Sequence, residues 1–110
     1  MLTIDTILVQ HADFQPDLVK LDIQGFELEA LMGASKLFGT TELFIIETSL
    51  FSFINGSPIT REVISFMADR SYEIYDITEF LRRPYDAALG SVDIAFVKGH
   101  GLLRSSNRWA

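Results

Sequence analysis

DLVKLDIQGFELEALMGA, residues 17–34, is the stretch on which the fold turns. Its first seven residues, Asp17 to Ile23, place apolar side chains on both alternating faces, with one Lys near the middle and Asp22 near the end. A strand that is apolar on both sides suits a sheet covered above and below. Gly25 then breaks it. From Phe26 to Phe38, the positions Leu28, Leu31, Met32 and Phe38 recur at helical spacing, with Ser35 completing the stripe. Glu27 and Glu29 fall in the first turn and Lys36 in the last, as the helix dipole favours. Gly39 suits the place just past the helix end, where a left-handed backbone is needed. The stretch reads as strand, glycine turn, helix.

Downstream the alternation continues. Glu42 to Thr48 is a second strand with a wholly apolar centre, Leu43 to Ile46. Ser49 to Ser57 is a loop with Phe51, Phe53 and an Asn-Gly turn. Ser57 can cap a helix that has Pro58 at its first position. Ile59, Val63, Phe66, Met67 and Arg70 trace one face of that helix to about Ser71. Tyr72 to Ile77 and Ser91 to Lys98 are the third and fourth strands, with Val92, Ile94 and Phe96 on one face of the last. Strand–helix–strand order implies parallel pairing through right-handed crossovers. Between the third and fourth strands lie only Thr78 to Gly90, interrupted by Pro84, and a covering helix fits poorly there. The expectation is a single α/β domain over residues 1–110 whose sheet is mostly parallel, with one antiparallel strand near its C-terminal edge.

The totals narrow the function classes. A chain of 110 residues makes one domain with a real core, not two. It has no cysteine, so disulfides, thiolate catalysis and cysteine-bound zinc are excluded. Its net charge is −6, and the basic residues are scattered apart from Arg82-Arg83. Nucleic acid and anionic membranes call for a positive footprint, and neither is an expected partner. No apolar run approaches the roughly 20 residues of a membrane span. Asp5 stands where a signal peptide would carry positive charge before an apolar block, so a cytoplasmic protein is expected.

These segments carry a likeness. TIDTIL, DLVKLDIQGFELEALMGA, ELFIIETS and the closing SVDIAFVKG together resemble the C-terminal part of the FkbM-type methyltransferase domain. The match runs through Lys20, Leu21, Asp22, Ile23, Gln24, Gly25, Phe26 and Glu27, then Leu31, Gly33 and Ala34. The resemblance implies a Rossmann-like methyltransferase sheet with its last strand inserted antiparallel, and S-adenosylmethionine as methyl donor. It also implies that this chain supplies only the later strands. The earlier ones, which carry the glycine-rich turn gripping the donor, would be missing. No G-x-G-x-x-G occurs, and Gly99-His100-Gly101 has two of its three glycines. Gln24 departs from the family pattern, which has Glu there.

Several residues are candidates for chemistry. Ligands in open α/β sheets collect beyond the C-terminal strand ends, and Asp22 is placed there just before the Gly25 turn. Its carboxylate could orient or deprotonate an acceptor hydroxyl; alternatively it accepts bonds from the following helix or pairs with Lys20. Glu47 ends the next strand in the same way. The two carboxylates could hold a metal or divide acid and base roles, though a strand-end carboxylate is as often simply solvated. Gln24 and Gly25 could touch substrate, and Phe51 could wall an acceptor pocket or pack into the core. His11 and His100 belong to no metal-ligand pattern, and no metal is expected.

The leading expectation is methyl transfer to a hydroxyl of a sugar or small metabolite, with the isolated chain inactive. A non-catalytic interaction module or remnant that self-associates through the unpaired edge of the Leu18–Ile23 strand is the alternative. A receiver-type signalling domain ranks below both, because only about twenty residues precede Asp22, too few for two earlier strand–helix units.

Overall fold

In the computed structural model, which describes residues 15–21, 27–53, 56 and 58–110, the 17–34 stretch opens as strand β1 (Leu18–Leu21). Residues 22–26, which hold the expected strand end and the Gly25 break, lie outside the described residues. Helix α1 (Glu27–Met32) follows, and there the structure departs from expectation. Instead of running on to Phe38, the chain turns at Gly33 and Ala34 and continues as a 3-10 turn, Ser35–Leu37. Glycine inside a helix costs about 1 kcal/mol relative to alanine. The tighter winding also lines up residues three apart, and Leu31, Ala34 and Leu37 are all buried. Met32, expected in the apolar stripe, is 61% exposed. Gly39 does adopt the left-handed backbone, with φ 96°.

Strand β2 (Leu43–Ser49) alternates as an element with one fully buried face should, with Phe44, Ile46 and Thr48 inside. Helix α2 (Thr60–Asp69) starts later than the expected Ser57–Pro58 entry. Ile59 is its N-cap residue and no side chain caps it, while Ser57 lies outside the described residues. The Thr60 hydroxyl is committed elsewhere. It donates to Thr48 Oγ1 at 3.0 Å, which in turn donates to the Val92 carbonyl at 3.1 Å. This buried relay satisfies polar groups that would otherwise cost free energy and ties the helix start to β2 and the last strand. The inner face of α2 is Val63 and Met67. Phe66 meets Phe38 edge-on at 6.0 Å, and Phe38 stacks on Phe44 at 5.4 Å. The Arg70 guanidinium lies over Phe66 at 3.5 Å, closing the cluster toward solvent.

The third strand is longer than expected. β3 spans Tyr72–Arg82, absorbing Thr78 to Arg82 of the segment assigned to a connection, and β4 (Leu89–Lys98) begins two residues early. What remains between them is a tight turn. The Arg83 N–H donates to the Ala88 carbonyl at 2.8 Å, the Ala87 N–H to the Arg83 carbonyl at 3.0 Å, and Ala87 takes φ 63°. So short a link can only make a hairpin.

The sheet order is β1-β2-β4-β3. β4 is antiparallel to both neighbours and one place in from the β3 edge, as the connection lengths suggest. The expectation of a mostly parallel sheet is corrected: only the β1–β2 ladder is parallel, and the other two are antiparallel. The inserted hairpin strand replaces the parallel neighbour β2 would otherwise have had. On the core face Phe44 lies opposite Phe96, Ile46 opposite Ile94 and Thr48 opposite Val92, beneath the helices. Ala95 and Val97 are buried on the other face.

Candidate functional site

β1 and β2 run the same way, in register from Leu18 opposite Leu43 to Leu21 opposite Ile46. Their C-terminal ends share the side of the sheet where ligands gather in α/β proteins. Glu47 follows Ile46 on β2, half-buried and on the face away from the helices. It lies opposite Asp93 of β4, and Asp93 lies opposite Glu79 of β3, so three acidic positions cross the sheet in one row. Among the described residues no group of three or more His, Asp or Glu side chains could hold a metal ion. Asp22, Gln24 and Gly25 lie outside the described residues.

Just past β2, the Leu50 N–H donates to the Gly90 carbonyl at 2.9 Å, extending the β2–β4 ladder and fixing where the loop departs. Phe51 is half-buried and packs on Phe53 with ring centroids 5.5 Å apart, while Phe53 is 54% exposed. Over the Phe51 ring, 4.0 Å from its centre, sits the Arg83 guanidinium. Arg83 also grips Asp86 with two bonds: Nε to Oδ1 and Nη2 to Oδ2, each 2.8 Å. The guanidinium holds the Asp86 carboxyl well below the usual carboxylate range, helped by the Ala88 N–H donated to the same group. The Tyr85 ring lies 5.3 Å from the same guanidinium. An aromatic surface backed by a fixed cation thus borders the end of β2.

The model of the methyltransferase FkbM domain matches residues 1–74. This chain belongs to that family. No curated protein matches it, and neither does any solved structure.

The FkbM match takes in β1, α1, β2, α2 and the first residues of β3. It ends at residue 74, so β4, whose SVDIAFVKG segment was included in the likeness, lies beyond it. The FkbM family uses S-adenosylmethionine, whose grip requires backbone N–H groups at a glycine-rich strand-to-helix turn. No such turn is present among the described residues. Gly33 and Gly39 sit in turns after helical segments, Gly56 in a loop and Gly90 within β4, while Gly99 and Gly101 lie between β4 and a single 3-10 turn, Leu102–Arg104, too short to be the helix such a cradle opens. Of the residues singled out in sequence, Glu47 and Phe51 lie at the same end of β2, joined by three residues of chain. Asp93, Glu79 and Arg83 were not anticipated. The alternation of SVDIAFVK would have placed Asp93 beside Glu47 once β4 was paired with β2, but nothing local signals Arg83.

Proposed function

We propose that this chain is the C-terminal part of a Rossmann-like, S-adenosylmethionine-dependent methyltransferase of the cytoplasm, acting on a hydroxyl of a sugar or small metabolite. The observation that carries the reading is the β1–β2 register together with the family match: Leu21 lies opposite Ile46, Asp22 follows Leu21 in the chain, and Glu47 follows Ile46. Asp22 orients the acceptor hydroxyl and takes its proton as the oxygen attacks the methyl group, and Glu47 on the neighbouring strand shares the acid–base work. Gln24 and Gly25 contact the acceptor, and Phe51 walls its site. Catalysis of this kind rests mainly on alignment of donor and acceptor.

Calorimetric titration with S-adenosylhomocysteine is expected to show no micromolar binding to residues 1–110 alone. Methyl transfer is expected from the protein encoded together with the sequence upstream of Met1, and there Asp22→Asn should lower turnover by about 10²-fold or more. Tight binding by the short chain would refute the absence of a donor cradle. Full turnover by Asp22→Asn would remove the carboxylate from the mechanism.

A second reading, a non-catalytic module that self-associates, is favoured by one observation. Among the described residues β1 pairs only with β2, and Leu18 on that edge is 54% exposed. An open edge of this kind recruits another strand, and a second copy of this chain is the proposed partner.

A further inference from the structure

The geometry points to Arg83 as a positioning residue for Phe51, joining the β3–β4 hairpin to the loop after β2 so that the two move as one. The inference rests on the reading of Phe51 as a wall of the acceptor site and adds what holds that wall in place. A guanidinium has two flat faces and an edge of N–H donors, and a single Arg can use both at once. Here the edge is spent on Asp86, two bonds of 2.8 Å within the hairpin turn. The face is spent on Phe51, 4.0 Å away across the gap to the β2 loop. Asp86 is in turn fixed by the Ala88 N–H at 3.0 Å, and the Arg83 backbone closes the hairpin through Ala88 and Ala87. Both side-chain bonds that orient the guanidinium thus come from the hairpin, whereas the ring it covers belongs to the loop after β2.

Phe51 therefore has one face occupied by a cation that cannot swing away without breaking two charge-assisted bonds. Phe53, packed against Phe51 and more than half exposed, is the ring left for a ligand with an apolar or C–H-rich face. Turning the hairpin by a small angle would carry the guanidinium, and with it Phe51 and Phe53. Arg83 touches no reacting atom in this arrangement. Its effect passes through the rings.

The test separates this role from simple closure of the hairpin. 4-Fluorophenylalanine at position 51 gives a fluorine resonance that reports the ring's surroundings, and its shift between light and heavy water reports exposure. Arg83→Met should move the resonance toward its unfolded position and enlarge the solvent shift. The charge swap Arg83→Asp with Asp86→Arg restores an ion pair to the hairpin but takes the cation off Phe51. It should recover the thermal midpoint and leave the fluorine signal displaced. Arg83→Lys, which keeps the charge without the flat face, should leave the fold intact and the signal displaced as well, and serves alone if the swap does not fold. A swap or a lysine variant that returns the fluorine signal to its native place would overturn the proposal. So would an Arg83→Met signal that never moved. The reading requires neither donor nor acceptor, so a failed methyl-transfer assay and a failed latch remain distinct results.

Discussion

Tyr72 carries a hydroxyl into the core and finds partners on both sides. It donates to the Thr41 carbonyl at 2.6 Å and accepts the Gly39 N–H at 3.1 Å, while its ring meets Phe44 and Phe38 edge-on. Tyr72→Phe keeps the ring and strands both partners, so it should destabilise the fold by about 1–3 kcal/mol in urea titrations. Burial raises the Tyr72 phenol above its ordinary 10.0. The unfolded phenol ionises first, so this group's contribution is complete below pH 10.0 and is lost as pH rises through the higher folded value. Wild type should therefore lose stability more steeply than Tyr72→Phe in that alkaline window, and equal slopes would contradict the assignment. At the other end of the scale, Asp86 should remain ionised at about pH 3, where an ordinary Asp is mostly protonated. Its carboxyl carbon shift in NMR reports this directly, and Arg83→Met should move its titration back toward the ordinary range, with the Ala88 N–H keeping part of the depression.

Among the elements, what could be read from the residues depended on how cleanly one period dominated. Phe44, Ile46 and Thr48 alternate without interruption, as do Val92, Ile94 and Phe96, and both strands were legible to within two residues. Across α1 and the 3-10 turn that follows it, the buried residues Leu31, Ala34 and Leu37 are spaced by three, which over so short a run is hard to tell from the helical 3.6. The far half of β3 escaped notice for another reason. Register shifts between Ile74 and Asp76 and between Ile77 and Glu79 break the two-residue alternation on which strand recognition relies. Glu47 could be found because it ends an apolar run. Arg83 could not, since its partner ring lies across a hairpin whose existence had first to be inferred. After β4 the chain folds back tightly: a Cβ on Gly101 would fall 2.6 Å from Glu42 Oε2 and 2.9 Å from Lys98 Cβ. Gly101→Ala should cost about 1–3 kcal/mol through this crowding alone, because φ −87° is open to any residue. A fall of several degrees in the thermal midpoint would confirm it.

At the scale of the molecule, the sheet formed by the described residues has two unlike edges. β3 carries Ile77 at 55% and Phe80 at 61% exposure, yet its bulges and its acidic Glu73, Asp76 and Glu79 discourage a straight incoming strand. β1 has no bulge in its ladder and shows Leu18 to solvent. If this chain self-associates, β1 is the edge to blunt. Sedimentation should show concentration-dependent mass in the native chain and a lower mass in Lys20→Pro, which removes an outward N–H: the Asp17 carbonyl accepts the Leu43 N–H, so residues 17 and 19 face β2 and Lys20 faces the open edge. A monodisperse monomer at high concentration would dispose of the idea.

β4 is last of the strands in the chain but stands inside the sheet, between β2 and β3. During synthesis β3 therefore emerges with nothing to bond to, and its exposed Ile77 and Phe80 must wait until Lys98 has left the ribosome. A chain stopped before Leu89 would lose both antiparallel ladders at a stroke, not merely its final strand. Such a nascent chain is a natural client for a holding chaperone, and ribosome-stalled chains whose residue 98 lies just inside or just outside the exit tunnel should differ sharply in protease resistance.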